Sequence, residues 1–335
     1  MTDRTITTAD GLRLHVTVRG PDDAPVSVLL SHCWTADESD WHYQVHDLLV
    51  RYGHRVRIVT WDHRGHGKSD LAAERDCTIP NLARDLGRVA DEFAPNGPVV
   101  LAGHSVGGMA LTAIPEERPD LLPRIAGLLL VSTSCGDLHR VTLGLPEVGP
   151  ALRDRLPFVL ATRARLLSRS KRQRFPVIER HVARRFLFGE PKRPRDVGHV
   201  VDQLINCPPE TMSGLFKDMM LHDRVGTLSA FDDIPTTILV GRRDLLTPPS
   251  HARALSRGIR GARLLVAPDA GHYLPFERPQ LVTDELVTLV DRALRHAAGQ
   301  PGAAHPDVTR ADTTSGGSTT EPREPAVPPQ DVHAG

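Results

Sequence analysis

From the start of the chain to about Ser134, short aliphatic and β-branched runs alternate with amphipathic stretches. Leu12 to Val18, Val26 to Ser31, Val56 to Trp61, Val99 to Ala102 and Ile125 to Ser132 read as strands; Ser39 to Tyr52, Asn81 to Phe93 and Val106 to Glu117 read as helices. Parallel neighbours need a crossover and a helix supplies it, so the interleaving predicts an α/β protein with a mostly parallel sheet covered on both faces. The first two strands have no helix between them and are expected to form an antiparallel edge.

The alternation lapses after Cys135 and resumes at Thr236 to Val240, followed by a helix near Ser250 to Arg257, a strand at Ala262 to Ala267 and a closing helix at Pro279 to His296. In between, apolar residues recur three and four apart, as in Leu152, Leu156 and Val159 and in Leu215, Phe216, Met219 and Met220, the mark of amphipathic helices. Residues 136–230 therefore read as an inserted helical cap that divides the core into 1–135 and 231–298. Residues 299–335 are Pro, Gly, Ser, Thr and Ala with scattered charges, too poor in apolar side chains to offset chain entropy. This tail is expected to be disordered and dispensable for activity.

At 335 residues the chain can bury a substantial core, and its 41 basic and 41 acidic residues balance, leaving no electrostatic case for a nucleic-acid partner. The N-terminus lacks an apolar signal core and no segment reaches the roughly 18 apolar residues of a membrane span. A cytoplasmic protein without stable membrane insertion is expected. Cys33, Cys77, Cys135 and Cys207 show no C-x-x-C spacing, which argues for reduced thiols over a disulfide scaffold or a zinc ribbon. Arg163, Arg165, Arg169, Lys171, Arg172, Arg174, Arg184 and Arg185 make the cap locally basic. That run reads as a solvated face, with an anionic substrate or a membrane surface as the alternative.

The chemistry centres on Gly103-His104-Ser105-Val106-Gly107, which follows an apolar strand and opens a helix. A serine there can sit on a tight strand-to-helix turn, because the flanking glycines lack the β-carbons that would collide. A serine hydroxyl is a weak nucleophile at neutral pH and needs a base, itself steadied by an acid. The strand at Thr236 runs into Gly241-Arg242-Arg243-Asp244 and the strand at Ala262 into Pro268-Asp269-Ala270-Gly271-His272. In a parallel sheet these loops leave the same carboxyl edge as Ser105.

The order Ser105, Asp244, His272, with Ser31-His32-Cys33-Trp34 after one strand and Asp62-His63-Arg64-Gly65-His66-Gly67-Lys68-Ser69 after the next, resembles the α/β-hydrolase superfamily, in its capped serine-hydrolase branch. The resemblance covers everything but the tail. It implies a catalytic triad of Ser105, Asp244 and His272, and an oxyanion hole built from the backbone N–H groups of Trp34 and Val106. Asp137 occupies the other position from which some relatives supply the acid. Asp269 reads as a turn residue.

Cys33 stands where the resembling family usually has glycine; it reads as a small buried thiol, and a catalytic Cys33–His32 pair is disfavoured because adjacent side chains in extended backbone point apart. His42 and His46 lie four apart on a helix but lack the glutamate of His-Glu-x-x-His, so they read as a solvated face and not a metal site. His63 and His66 are expected to support the mouth of the site, and His104 to pack beside the nucleophile. Met212, Met219 and Met220 suit either an adaptable pocket or ordinary packing. No motif suggests a metal, nucleotide or flavin. The expected activity is cofactor-independent hydrolysis of a small or medium apolar ester or lactone. Carbon–carbon bond hydrolysis, cofactor-free haloperoxidase or perhydrolase chemistry, and ligand reception without turnover are the alternatives on the same residues.

Overall fold

The computed structural model describes residues 1–140, 177–190 and 193–299. Eight strands form one sheet: β1 (Thr2–Thr7), β2 (Arg13–Arg19), β3 (Val26–Ser31), β4 (Val56–Trp61), β5 (Val99–His104), β6 (Ile125–Val131), β7 (Thr236–Gly241) and β8 (Arg263–Ala267), in the order β1-β2-β4-β3-β5-β6-β7-β8. Pairing is parallel from β4 through β8 and antiparallel for β1 with β2 and β2 with β4. Every residue of β3, β4, β5 and β7 is buried, as continuous apolar runs flanked by helices must be.

The antiparallel edge differs from expectation. It is made by β1 and β2, while β3 lies inside the sheet between β4 and β5. In β1 only Ile6 is buried, so this strand carries no hydrophobic run to betray it and is held through its backbone ladder with β2.

Helix α1 (His42–Tyr52) connects β3 to β4, and α2 (Ile79–Phe93) connects β4 to β5. The Thr78 side chain accepts from the Asn81 N–H, and Pro80 occupies the first turn of α2, where no intrahelical N–H is needed. The segment expected as one helix from Val106 is two, α3 (Val106–Thr112) and α4 (Ile114–Glu117), because Pro115 has no N–H with which to continue the ladder. Between β6 and β7 lie α5 (Val177–Phe186), α6 (Pro194–Asn206) and α7 (Pro209–Leu221), and the chain closes with α8 (Pro249–Gly258), α9 (Leu274–Glu277) and α10 (Pro279–Ala297). Leu48, Tyr52, Leu286 and Val290 from α1 and α10 cover one face of the sheet; Leu86, Val89, Phe93 and Leu255 from α2 and α8 cover the other.

Leu215 and Met219 on α7 are buried against Ile79, Leu82, Val106 and Met109, so these residues pack onto the helices beside the sheet. Leu152, Leu156, Val159 and the basic residues from Arg163 to Arg174 lie outside the described residues, as does the tail from Gln300. Arg184 and Arg185 are exposed on α5. Among the described residues no helix is long and apolar enough to cross a membrane.

Candidate active site

Strand β5 delivers Ser105 at the carboxyl edge of the sheet and α3 carries the chain away. Ser105 has φ 54° and ψ −115°, a conformation that costs a non-glycine residue on the order of 1–3 kcal/mol and persists only where its surroundings impose it. Its N–H donates to the Val131 carbonyl at 2.9 Å, while its own carbonyl accepts from Met109 N–H at 3.0 Å and Thr133 Oγ1 at 2.6 Å. A Cβ on Gly103 would collide with the backbone of Gly107 and Gly108, and one on Gly107 with the carbonyl oxygens of Ser31 and His32. Gly103 thus lets the start of α3 fold back on β5, and Gly107 lets it press against the end of β3 and the loop that follows.

The loops after β7 and β8 bring an acid and a base together. Asp244 Oδ2 accepts from His272 Nδ1 at 2.9 Å and from Thr247 Oγ1 at 2.8 Å; Oδ1 accepts from the N–H groups of Leu246 and Thr247, each at 2.9 Å. Burial would raise the Asp244 pKa, but the facing His272 and these donors hold it below the ordinary carboxylate value. With Nδ1 donating to Asp244, the other ring nitrogen, Nε2, carries the lone pair, and it is buried with no partner among the described residues. Asp137, at φ 60°, is exposed and lies 4.0 Å from His139. The carboxylate on His272 is that of Asp244. Asp269 occupies a φ 57° turn and pairs with Arg243.

The loop after β3 offers backbone donors. Cys33 N–H is taken by Asp40 Oδ2 at 3.0 Å and Thr35 N–H, at φ 63°, by His66 Nε2 at 3.3 Å. Among the described residues, the N–H groups of Trp34 and Val106 donate to no protein acceptor. Three buried imidazoles prop this loop from behind. His32 Nδ1 donates to the Cys33 carbonyl at 2.7 Å and its Nε2 accepts from His63 N–H at 2.8 Å; His63 Nε2 lies 3.2 Å from Ser31 Oγ. His63 and His66 are buried and bonded to the backbone around this loop, His63 Nε2 donating to the His32 carbonyl at 3.1 Å and His66 Nδ1 to the Arg64 carbonyl at 3.0 Å.

Burial disfavours charge on these rings, lowering His63 to about 3 and His66 to about 4. A histidine whose folded pKa lies below the unfolded 6.5 contributes stability that is present above pH 6.5 and is lost as pH falls toward the folded value, by up to about 1.4 kcal/mol per pH unit for each proton. Denaturant unfolding between pH 7 and pH 4 is expected to show that loss, and His66→Gln to flatten it by close to one proton. An unchanged slope would contradict the assignment.

Two further carboxylates were not legible in the sequence. Asp40 Oδ2, besides taking Cys33 N–H, accepts from His104 Nδ1 at 2.8 Å, and His104 Nε2 donates to the His272 carbonyl at 3.0 Å. Both His104 nitrogens face acceptors; burial opposes charge on the ring, but the Asp40 carboxylate outweighs it and raises the pKa. This pair ties together the Cys33 loop, the end of β5 and the His272 loop. Glu277 accepts from Gly271 N–H at 2.9 Å and Tyr273 N–H at 3.1 Å, on either side of His272, and from Gly189 N–H at 2.7 Å. Cys33 is buried among these groups, and burial pushes its thiol pKa well above the ordinary value. All the cysteines are free and buried, whereas His42 and His46 lie on the exposed face of α1.

Residues 28–285 match the Alpha/beta hydrolase family. The chain is 27% identical to the pimeloyl-[acyl-carrier protein] methyl ester esterase of Aeromonas hydrophila, over 78% of this chain and 92% of that protein. It is 32% identical to the non-heme chloroperoxidase of Streptomyces lividans over 129 residues, 38% of this chain and 44% of that one. A solved structure of a thermophilic esterase from Thermogutta terrifontis superposes with a TM-score of 0.66 at 25% identity, covering 88% of this chain and 99% of the esterase. The family match runs from β3 into α10 and takes in every loop just described, so the chain belongs to the alpha/beta hydrolase family.

Proposed function

We propose that the protein is a cofactor-independent serine hydrolase that cleaves small or medium apolar carboxylic esters or lactones through an acyl-enzyme on Ser105. The observation that carries this reading is His272, held by Asp244 on Nδ1 with Nε2 buried and unpartnered, in a loop at the same sheet edge as a serine in a strained turn. Ser105 Oγ attacks the carbonyl carbon as His272 Nε2 takes its proton, and Asp244 offsets the imidazolium charge. The developing oxyanion receives the N–H groups of Trp34 and Val106, each contributing on the order of 3 kcal/mol to the transition state. His272 returns the proton to the leaving alkoxide. Water, deprotonated by the same nitrogen, then releases the acid.

Residues 136–230 act in this reading as a cap that shapes the substrate pocket. Its support is the place of α5 to α7 between β6 and β7 and the reach of this segment to the site: Phe188, just after α5, stacks on Tyr273, with ring centres 5.3 Å apart, and the ring of Phe216 on α7 lies 5.9 Å from that of Trp34, whose N–H is an oxyanion donor. Aromatic surface there favours an apolar acyl or alcohol group. The likeness to a non-heme chloroperoxidase favours one second reading, in which hydrogen peroxide replaces water on the acyl-enzyme and yields a peracid. A panel of p-nitrophenyl esters, lactones and a dienone acid, with and without peroxide and halide, tests both. Turnover of the shorter esters or of lactones is expected; cleavage of the dienone acid with neither ester nor lactone turned over would overturn the reading.

A further inference from the structure

Cys33 is the position at which this chain departs from the α/β-hydrolase pattern, and its side chain is not used in the mechanism above. Its Sγ, one ring nitrogen of His104 and one ring nitrogen of His272 all lie within 4.8 Å of one another, on side chains that are buried. We propose that Cys33 Sγ and His272 Nε2 form an inhibitory site for a thiophilic divalent cation of the zinc or cadmium type.

The donor set points to that class of ion. Thiolate and imidazole together suit zinc and its softer congeners, whereas hard cations take oxygen. Zinc bonds of about 2.3 Å to sulfur and about 2.0 Å to nitrogen place tetrahedral ligands roughly 3.5 Å apart, so a spacing of this order closes by about an ångström of side-chain movement. On His272, Nδ1 is committed to Asp244 and Nε2 has no partner, which is the carboxylate–histidine–metal arrangement that orients a ligating imidazole and strengthens it as a donor. His104 stands third in line. Its nitrogens already serve Asp40 and the His272 carbonyl, so it joins only by giving up the latter bond and releasing the Nε2 proton to water, and water fills the remaining positions.

On binding, the Cys33 S–H bond breaks, its proton passes to water and a sulfur–metal bond forms. The Nε2 lone pair that would receive the Ser105 proton is donated to the cation instead. Nothing is oxidised or reduced, and removal of the ion restores the base. With glycine at position 33 the sulfur would be missing and the cation would have a lone imidazole, so the device belongs to this chain's cysteine.

The test uses the full chain carrying Ser105→Ala, so that occupancy is read without turnover and a failure here is distinct from a failure of the ester-hydrolase reading. Titration with cadmium alone in a non-chelating buffer is expected to raise one saturable equivalent of thiolate-to-metal charge-transfer absorption. Adding Cys33→Ala or Cys33→Ser is expected to abolish that band, and adding His272→Gln to weaken binding at least tenfold; thermal melts show that each variant is folded. In the unsubstituted enzyme zinc is expected to inhibit turnover and a chelator to reverse it. A band that survives both Cys33 substitutions would place the sulfur at another cysteine and overturn the proposal. So would unchanged affinity in the His272 variant, or zinc uptake with no sulfur signature, as exposed His42 and His46 would give.

Discussion

Ser105→Ala is expected to lower kcat on a hydrolysed ester by about a million-fold, since a serine, its base and its acid act as one unit and loss of the nucleophile costs nearly as much as loss of all three. The same position carries backbone strain. Ser105→Gly, inactive for the same reason, is expected to raise unfolding stability by about 1 kcal/mol, because glycine adopts φ 54° without the penalty a β-carbon brings. Steady-state kinetics and urea unfolding read the two effects separately. A fold destabilised by the glycine would mean that the turn is comfortable for serine and that strain is no part of the site.

Asp244→Asn is expected to cost about 10,000-fold in kcat, because an amide can donate to His272 Nδ1 and stabilise the tautomer whose proton sits on Nε2, the wrong one for a base. Asp137→Asn, at an exposed turn, is expected to leave kcat near the unsubstituted value. The Asp244 carboxyl is held below its ordinary pKa, so its contribution is present above about pH 4 and fades only as pH falls through the lower folded value. Loss of activity between pH 7 and pH 5 therefore belongs to other groups.

How much of this was legible in the chain follows from the range of each interaction. Ser105, Asp244 and His272 announce themselves because each sits in a short loop after an apolar strand, and strand order alone puts those loops on one edge. Ile6, by contrast, is a single buried residue in a polar strand, and nothing local marks β1 as part of the sheet. Asp40 and His104 are 64 residues apart, and the cluster Asp37-Glu38-Ser39-Asp40 reads as a helix start; only folding turns one of its carboxylates inward. Glu277 lies on a four-residue helix too short to carry a period, so its role in framing His272 is a matter of backbone geometry. The break between α3 and α4 is marked locally by Pro115, which lacks the N–H that one continuous helix would need.

The most direct test of the account is the site of covalent capture by a fluorophosphonate. Peptide mapping of the labelled full chain is expected to find one phosphonyl group, on Ser105, with labelling slowed by several orders of magnitude in His272→Gln. A label on Cys33 or any other residue, or labelling of Ser105 at an undiminished rate without the imidazole, would contradict it.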